Sequence, residues 1–263
     1  MATRPPVTGL SYTMRRDEPT RIEGFSDAVF GFSLTLLAFS LEVPSSVEEL
    51  RTLAVAQLVP TLAAFALMCW IWAEHNSFFR QFGLQDPVTV ILNCALLFLV
   101  VFYTYPLKFM AVFLWGMIAN AFGWDGILSA LAGSGSLTLT QGSRTDVTAL
   151  MLIYHVGFIA LFAIFALLYR HALRQKDVLA LDAVELFEAR AGQRVHVISV
   201  TVGLAAMAVF TLLYIPGSTR GMVGLSGMVD MLMGPAHGWH GARYARARAK
   251  LIAARETANT ADV

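Results

Sequence analysis

The chain has 263 residues, 57% of them hydrophobic and only 14% charged, with a net charge of +1. Soluble domains carry roughly 25% charged residues, so this composition belongs to an integral membrane protein, and the length reads as a count of helices. With a net charge of +1, no strongly basic surface points to nucleic acid. Cys69 and Cys94 fall inside apolar runs and read as small buried hydrophobes, so no disulfide framework or thiolate metal site follows from them.

Residues 1–19 hold Arg, Pro, Asp and Glu without an apolar h-region, so they read as a cytoplasmic N-terminal tail and not as a signal peptide. A bilayer core asks for about 20 predominantly apolar residues per helix. On that measure six spans are expected within a transmembrane domain over 20–239. The first covers 24–43 and the second 52–73. The third begins near 88 and reaches at least Tyr105; Pro106 either ends it or kinks a helix that continues through 107–119. Residues 120–147, rich in Gly, Ser and Thr, are expected as an extracytoplasmic loop with room for a short helix. The fourth span covers 148–169. Residues 171–193 alternate charged and apolar positions at helical spacing, as in an amphipathic cytoplasmic helix or a plain connector. The fifth span covers 195–215. The sixth, 219–236, is the weakest, interrupted by Gly221, Gly224, Gly227, Gly234 and Asp230. The tail 240–263 is basic and helical in pattern, and anionic lipid would attract it.

Lys and Arg distribution fixes the expected orientation. With the N-terminus cytoplasmic, fifteen of the nineteen fall on inside segments and four, Arg51, Lys108, Arg144 and Arg220, outside. An even number of spans with both termini inside satisfies this bias. Without the sixth span the basic tail would lie outside.

The first helix carries the densest pattern. Thr20 followed by Glu23 has capping-box spacing, so the helix is expected to start near Thr20. At about 100° per residue, Arg21, Phe25, Ala28, Phe32, Thr35, Leu36 and Phe39 share one sector. Gly24, Gly31 and Ala38 repeat on a second, where another helix could approach closely, with Asp27 beside them. Ser26, Ser33 and Ser40 line a third. None of the three need be a plain lipid face. An ionisable group in a span is costly and usually pairs inside a bundle. Asp27 would find donors at its own depth in Trp72, His75 and Asn93 of later spans. The residues alone leave two readings open: an interfacial anchor (Arg21), a cap (Glu23) and a solvated polar group (Asp27), or a functional network.

Arg21-x-x-x-Phe25-Ser26-Asp27 at the start of a first span resembles the signature of the transmembrane protein 175 family of potassium channels. The similarity continues through AVFGFSLTLLAFSLEV, then Trp72-x-x-His75 with Phe79, then Asn93-x-x-x-Leu97 with Pro106. It covers roughly the first 110 residues. The resemblance implies an all-α, six-helix subunit of the bacterial single-repeat type, assembled as a homotetramer with the first helix lining a central pore. No TVGYG-like carbonyl filter occurs between any two spans. Transferred by the motif, the pore constriction is Phe32, Leu36 and Phe39, and Thr35 forms the selectivity layer. Phe32 and Phe39 stand where the family has isoleucine or leucine. Arg21, Phe25, Ser26, Asp27, Trp72, His75 and Asn93 then form a structural network that holds the pore helix.

The expected function is passive, potassium-favouring cation conduction across a lipid bilayer, in a cell membrane of bacterial inner-membrane type. Hydrophobic constrictions gate by dewetting, and Glu42 could concentrate cations at the outer mouth. No cofactor and no resident metal are implied. Enzyme readings are poorly supported: His237-x-x-His240 lacks a third ligand nearby, Tyr154–His155 reads as packing, and Asp230 has no identifiable base. The alternative of another class is a proton-conducting channel or proton-coupled transporter using Asp27, His75 and Asp230. Broken helices near the midplane would accompany such a transporter, and 216–238 is the one Gly-rich stretch of that kind.

Overall fold

The computed structural model of the protein describes residues 18–39, 46–133, 144–214 and 233–261. These form seven helices: α1 (Arg21–Phe39), α2 (Val47–Phe82), α3 (Pro87–Phe122), α4 (Asp125–Gly133), α5 (Arg144–Arg174), α6 (Ala183–Tyr214) and α7 (Met233–Ala261). Four stretches are long and apolar enough to cross a membrane: Ala54–Phe82, Pro87–Phe122, Thr148–Arg174 and Ala183–Leu212. The shorter α1, 19 residues with Glu23 in its first turn, is not one of the four. The sixth expected span lies outside the described residues as far as 232, and its last four residues open α7.

The helix ends follow local chemistry. Gly83 (φ 61°) closes α2, its amide donating to the Phe79 carbonyl at 2.7 Å, which is the left-handed glycine cap. Asp86 then starts α3. Its Oδ1 accepts from the Val88 and Thr89 amides at 3.0 and 3.2 Å, and Pro87 occupies the first helical position, where a missing N–H costs nothing. At the other end Gly123 (φ 65°) is the turning residue. The Trp124 amide donates to Ala119 O at 2.9 Å and the Gly123 amide to Asn120 O at 3.3 Å, a Schellman closure. Asp182 and Glu185 form a reciprocal box ahead of α6, at 3.0 and 2.8 Å.

Of the two outcomes open at Pro106, the helix continues: α3 runs on to Phe122; a proline is tolerated inside a spanning helix when surrounding groups satisfy the freed carbonyl. Within 120–147, α3 runs on to Phe122, a short helix of the kind expected there is α4, and the next helix begins at Arg144. Residues 171–193 are not a separate amphipathic helix. They are the end of α5, a turn over 175–182 and the start of α6, so their helical periodicity belongs to two long helices.

The chain forms two compact units. One contains residues up to Glu23, His75–Leu96 and Phe158–Val263, the other Gly24–Glu74 and Leu97–Gly157. In the first, Phe78, Phe82 and Tyr169 meet edge-on or tilted within 5.6 Å, and His196 stacks on Phe165 at 4.9 Å. Gly192 lets α6 approach α5 here, since a Cβ would lie 2.4 Å from the Tyr169 ring. In the second, Ala130 and Leu131 of α4 pack on Ala56 and Val112. Gly157 sits against Tyr103, again 2.4 Å from where a Cβ would stand, and the Tyr103 hydroxyl donates to Tyr154 O at 2.8 Å.

Candidate functional site

The helix α1 starts where its sequence says it should. The Thr20 amide donates to Glu23 Oε2 at 2.6 Å, and the Glu23 amide donates to Thr20 Oγ1 at 3.3 Å, a complete capping box. Beyond the cap the helix is two-sided. Glu23, Ser26, Phe30, Ser33 and Leu37 are buried; they recur at intervals of three and four and so occupy one sector. Arg21, Phe25, Ala28, Phe32 and Thr35 are exposed, and Leu36 is intermediate. The two sets lie on opposite sides of the helix. Phe32 is 56% exposed, a large apolar ring that the rest of the chain leaves uncovered. The side chain of Phe39, at the helix end, lies outside the described residues, as do Ser40 and Glu42.

The small-residue sector is open as well. A Cβ added at Gly24 or Gly31 would meet nothing within 4 Å. The serine face of α1 is thus its packed side, while Asp27, beside the small-residue sector, is engaged by Trp72. Ser33 donates to Val29 O at 2.9 Å and Thr35 to Gly31 O at 2.5 Å, so both hydroxyl hydrogens return to the helix's own backbone.

Two pairs bring predicted residues together. Trp72 Nε1 donates to Asp27 Oδ1 at 2.7 Å, a short bond to a charged acceptor. His75 Nε2 meets Asn93 Oδ1 at 2.8 Å, with both side chains 1% exposed; the carbonyl oxygen accepts, so His75 carries its proton on Nε2. Phe79 lies against the His75 ring at 4.6 Å. Ser26 is fully buried on the packed face, while Arg21 and Phe25 stand exposed and outside both pairs. Tyr154 and His155 are packing residues, His155 Nδ1 lying 2.7 Å from Met151 O. His237 meets Ser199 Oγ at 3.0 Å. Among the described residues no group of three His, Cys, Asp or Glu is placed to hold a metal.

Two polar clusters were not foreseen. Asp86, besides capping α3, accepts from the Thr89 hydroxyl at 2.6 Å and meets His171 Nε2 at 2.9 Å. Partial burial raises its carboxyl pKa, but the Thr89 hydrogen bonds and His171 outweigh that and hold it below the usual carboxylate value. The sequence Asp86-Pro87 signals the cap but not the histidine. The second cluster joins α6 to α7. Arg248 Nε donates to Glu188 Oε1 at 2.7 Å, the two side chains being 15% and 1% exposed. The Phe187 and Tyr244 rings stack at 5.5 Å. Burial, then the Glu188 charge, push the Tyr244 hydroxyl up to about 12. Sixty residues separate Glu188 from Arg248, so no local pattern could have paired them.

The family described as endosomal/lysosomal potassium channel TMEM175 matches residues 21–103. A potassium channel of Marivirga tractuosa is 35% identical over 231 residues, 87% of this chain and 90% of that protein. A potassium channel of Chamaesiphon minutus is 32% identical over 106 residues, 38% of this chain and 52% of that one. Among solved structures, a variant of the potassium channel MtTMEM175, crystallised with a nanobody–MBP fusion, superposes with a TM-score of 0.74. It is 30% identical and covers 92% of this chain and 99% of its own.

Proposed function

The chain belongs to the TMEM175 family of potassium channels, and from that premise we propose that it conducts potassium through a pore lined by α1 of several subunits. At the coarser level it is a multi-pass membrane protein and a channel rather than an enzyme. The finer reading is six spans with both termini cytoplasmic, in a homotetramer. It draws its support from the Lys and Arg asymmetry and from the unpacked faces of α1.

One observation carries the pore assignment. In the subunit α1 buries its serine face and exposes the opposite stripe of Phe25, Phe32 and Thr35. A helix turned this way offers its apolar stripe to an axis, and its open Gly24 and Gly31 sector to a neighbouring helix. Around that axis Phe32, Leu36 and Phe39 form a hydrophobic constriction that excludes water when narrow. Thr35 supplies the oxygens between them. Its hydrogen is donated to Gly31, so the lone pairs are what it presents to a passing cation or its water. Sodium holds its hydration shell more tightly than potassium does, and a constriction with few oxygen ligands disfavours it. The Trp72–Asp27 pair serves as a brace for the pore helix rather than as an ion ligand, and the His75–Asn93 pair ties α2 to α3.

The test is flux from liposomes containing the purified protein. Potassium flux is expected, with Thr35→Ala reducing the potassium-over-sodium preference in bi-ionic reversal potentials. Unchanged selectivity would remove Thr35 from the mechanism. A current driven by a pH gradient that persists without potassium would favour proton conduction.

A further inference from the structure

The helix α7 has two opposed faces with different chemistry. His237, Tyr244 and Arg248 share one sector and are the residues that engage α6 through Ser199, Phe187 and Glu188. Trp239, Arg243, Arg246 and Lys250 follow at intervals of four, three and four, which places them together on the opposite side. All four are exposed, Trp239 by 64%. The Arg243 guanidinium lies over the Trp239 ring, 4.5 Å from its centroid. No Asp or Glu occurs anywhere in 231–255 to neutralise this stripe.

The docking contacts fix the level of that stripe. Glu188 pairs with Arg248 and Ser199 with His237, so α7 runs antiparallel to α6 in one register. In that register Trp239 is level with Val197, Arg243 with Gln193, Arg246 with Arg190 and Lys250 with Leu186. The α6 run from Val195 to Tyr214 contains no Asp, Glu, Lys or Arg, and Arg194 marks its boundary. Trp239 therefore stands about half a turn inside the apolar run, a favoured depth for an interfacial tryptophan. At 1.5 Å per residue, Arg243 and Arg246 follow roughly 6 and 10 Å further out. That is the headgroup layer, which is roughly 5–7 Å thick on each side. Lys250 remains within about one Debye length of it.

We propose that the exposed face of α7, formed by Trp239, Arg243, Arg246 and Lys250, is a binding site for anionic phospholipid headgroups. Arg248 belongs to the docking face and takes no part. The tryptophan inserts at the boundary and orients Arg243. The arginine forks grip headgroup phosphates bidentately, and Lys250 adds attraction at longer range. Because the far side of the helix is anchored on a buried carboxylate, the cationic face is held in place before any lipid arrives.

The experiment uses the full-length protein in neutral detergent, titrated with phosphatidylglycerol or phosphatidylcholine and read by thermal shift. Phosphatidylglycerol is expected to stabilise more than phosphatidylcholine, with the excess lost at high salt. Arg243→Gln/Arg246→Gln/Lys250→Gln is expected to keep the melting temperature found in phosphatidylcholine. It should raise the half-saturating phosphatidylglycerol concentration on the order of 30-fold, from the attraction of two cations in the headgroup layer. Trp239→Ala, a single exposed change, weakens the same response and carries the test should the triple variant not fold. Equal responses of the triple variant and the parent would overturn the proposal. So would equal stabilisation by the two lipids, by inorganic phosphate alone, or by a polyglutamate chain, the last pointing to an acidic protein partner.

Discussion

Replacing Arg248 with alanine isolates the contact that fastens α7. Glu188 keeps its carboxylate at 1% side-chain exposure but loses the donor at 2.7 Å. The amide of Gln81 lies 3.5 Å from the carboxylate. Removing one member of a buried pair costs about 3–5 kcal/mol. Arg248 is itself 15% exposed, so the lower end, about 3 kcal/mol, applies. For a chain of this size that corresponds to a fall in Tm of roughly 6–12 °C. The assay is thermal unfolding of the solubilised protein, followed by tryptophan fluorescence. Glu188→Gln alone costs less, because Arg248 sits at the open end and can turn to solvent. The double variant Arg248→Ala/Glu188→Gln recovers much of the loss, the non-additivity expected of residues in direct contact. A Tm within about 1 °C of the parent for Arg248→Ala, or strict additivity in the double variant, would refute a buried, coupled pair.

Asp86→Ala removes the α3 cap and should cost about 1 kcal/mol, seen as a small drop in Tm at pH 7. The folded Asp86 carboxyl lies below its unfolded value of 3.8. Its stabilising contribution is therefore fully present above that value and is lost as pH falls through the lower folded pKa. Melting temperatures of Asp86→Ala and the parent should differ most above pH 3.8 and converge as the pH falls below it. Gly157→Ala drives a methyl to 2.4 Å from the Tyr103 ring. Overpacking of this kind costs about 1–3 kcal/mol, and Tyr103→Leu in the same chain should relieve part of it, as denaturant titration of both variants would reveal.

What the sequence disclosed and what it hid divide by distance along the chain. Thr20 and Glu23 are three residues apart, and the cap they form follows from spacing alone. The Arg21–Asp27 signature was recognisable for the same reason, and with it the family. Even the opposition of the serine and phenylalanine faces of α1 is a property of one helix. Pro106 was ambiguous because its effect depends on what surrounds the freed carbonyl. The segment 171–193 stayed open between helix and connector because helical periodicity persists across a turn when the flanking helices are both long. Glu188 with Arg248, and Asp86 with His171, join residues on different helices. A single sequence records each as an ordinary charge.

The bond from Thr35 to Gly31 bears on how protons could travel beside the ion. A proton hops along a file of water and hydroxyl groups only if each member receives one hydrogen while releasing another. Thr35 has one hydrogen to give, and it is committed to a backbone carbonyl 2.5 Å away within the same helix. A ring of such side chains would be all acceptor, and water hydrogens would turn toward it from both sides. The file would reverse its orientation at that level and break as a proton wire, while remaining a continuous path for a cation.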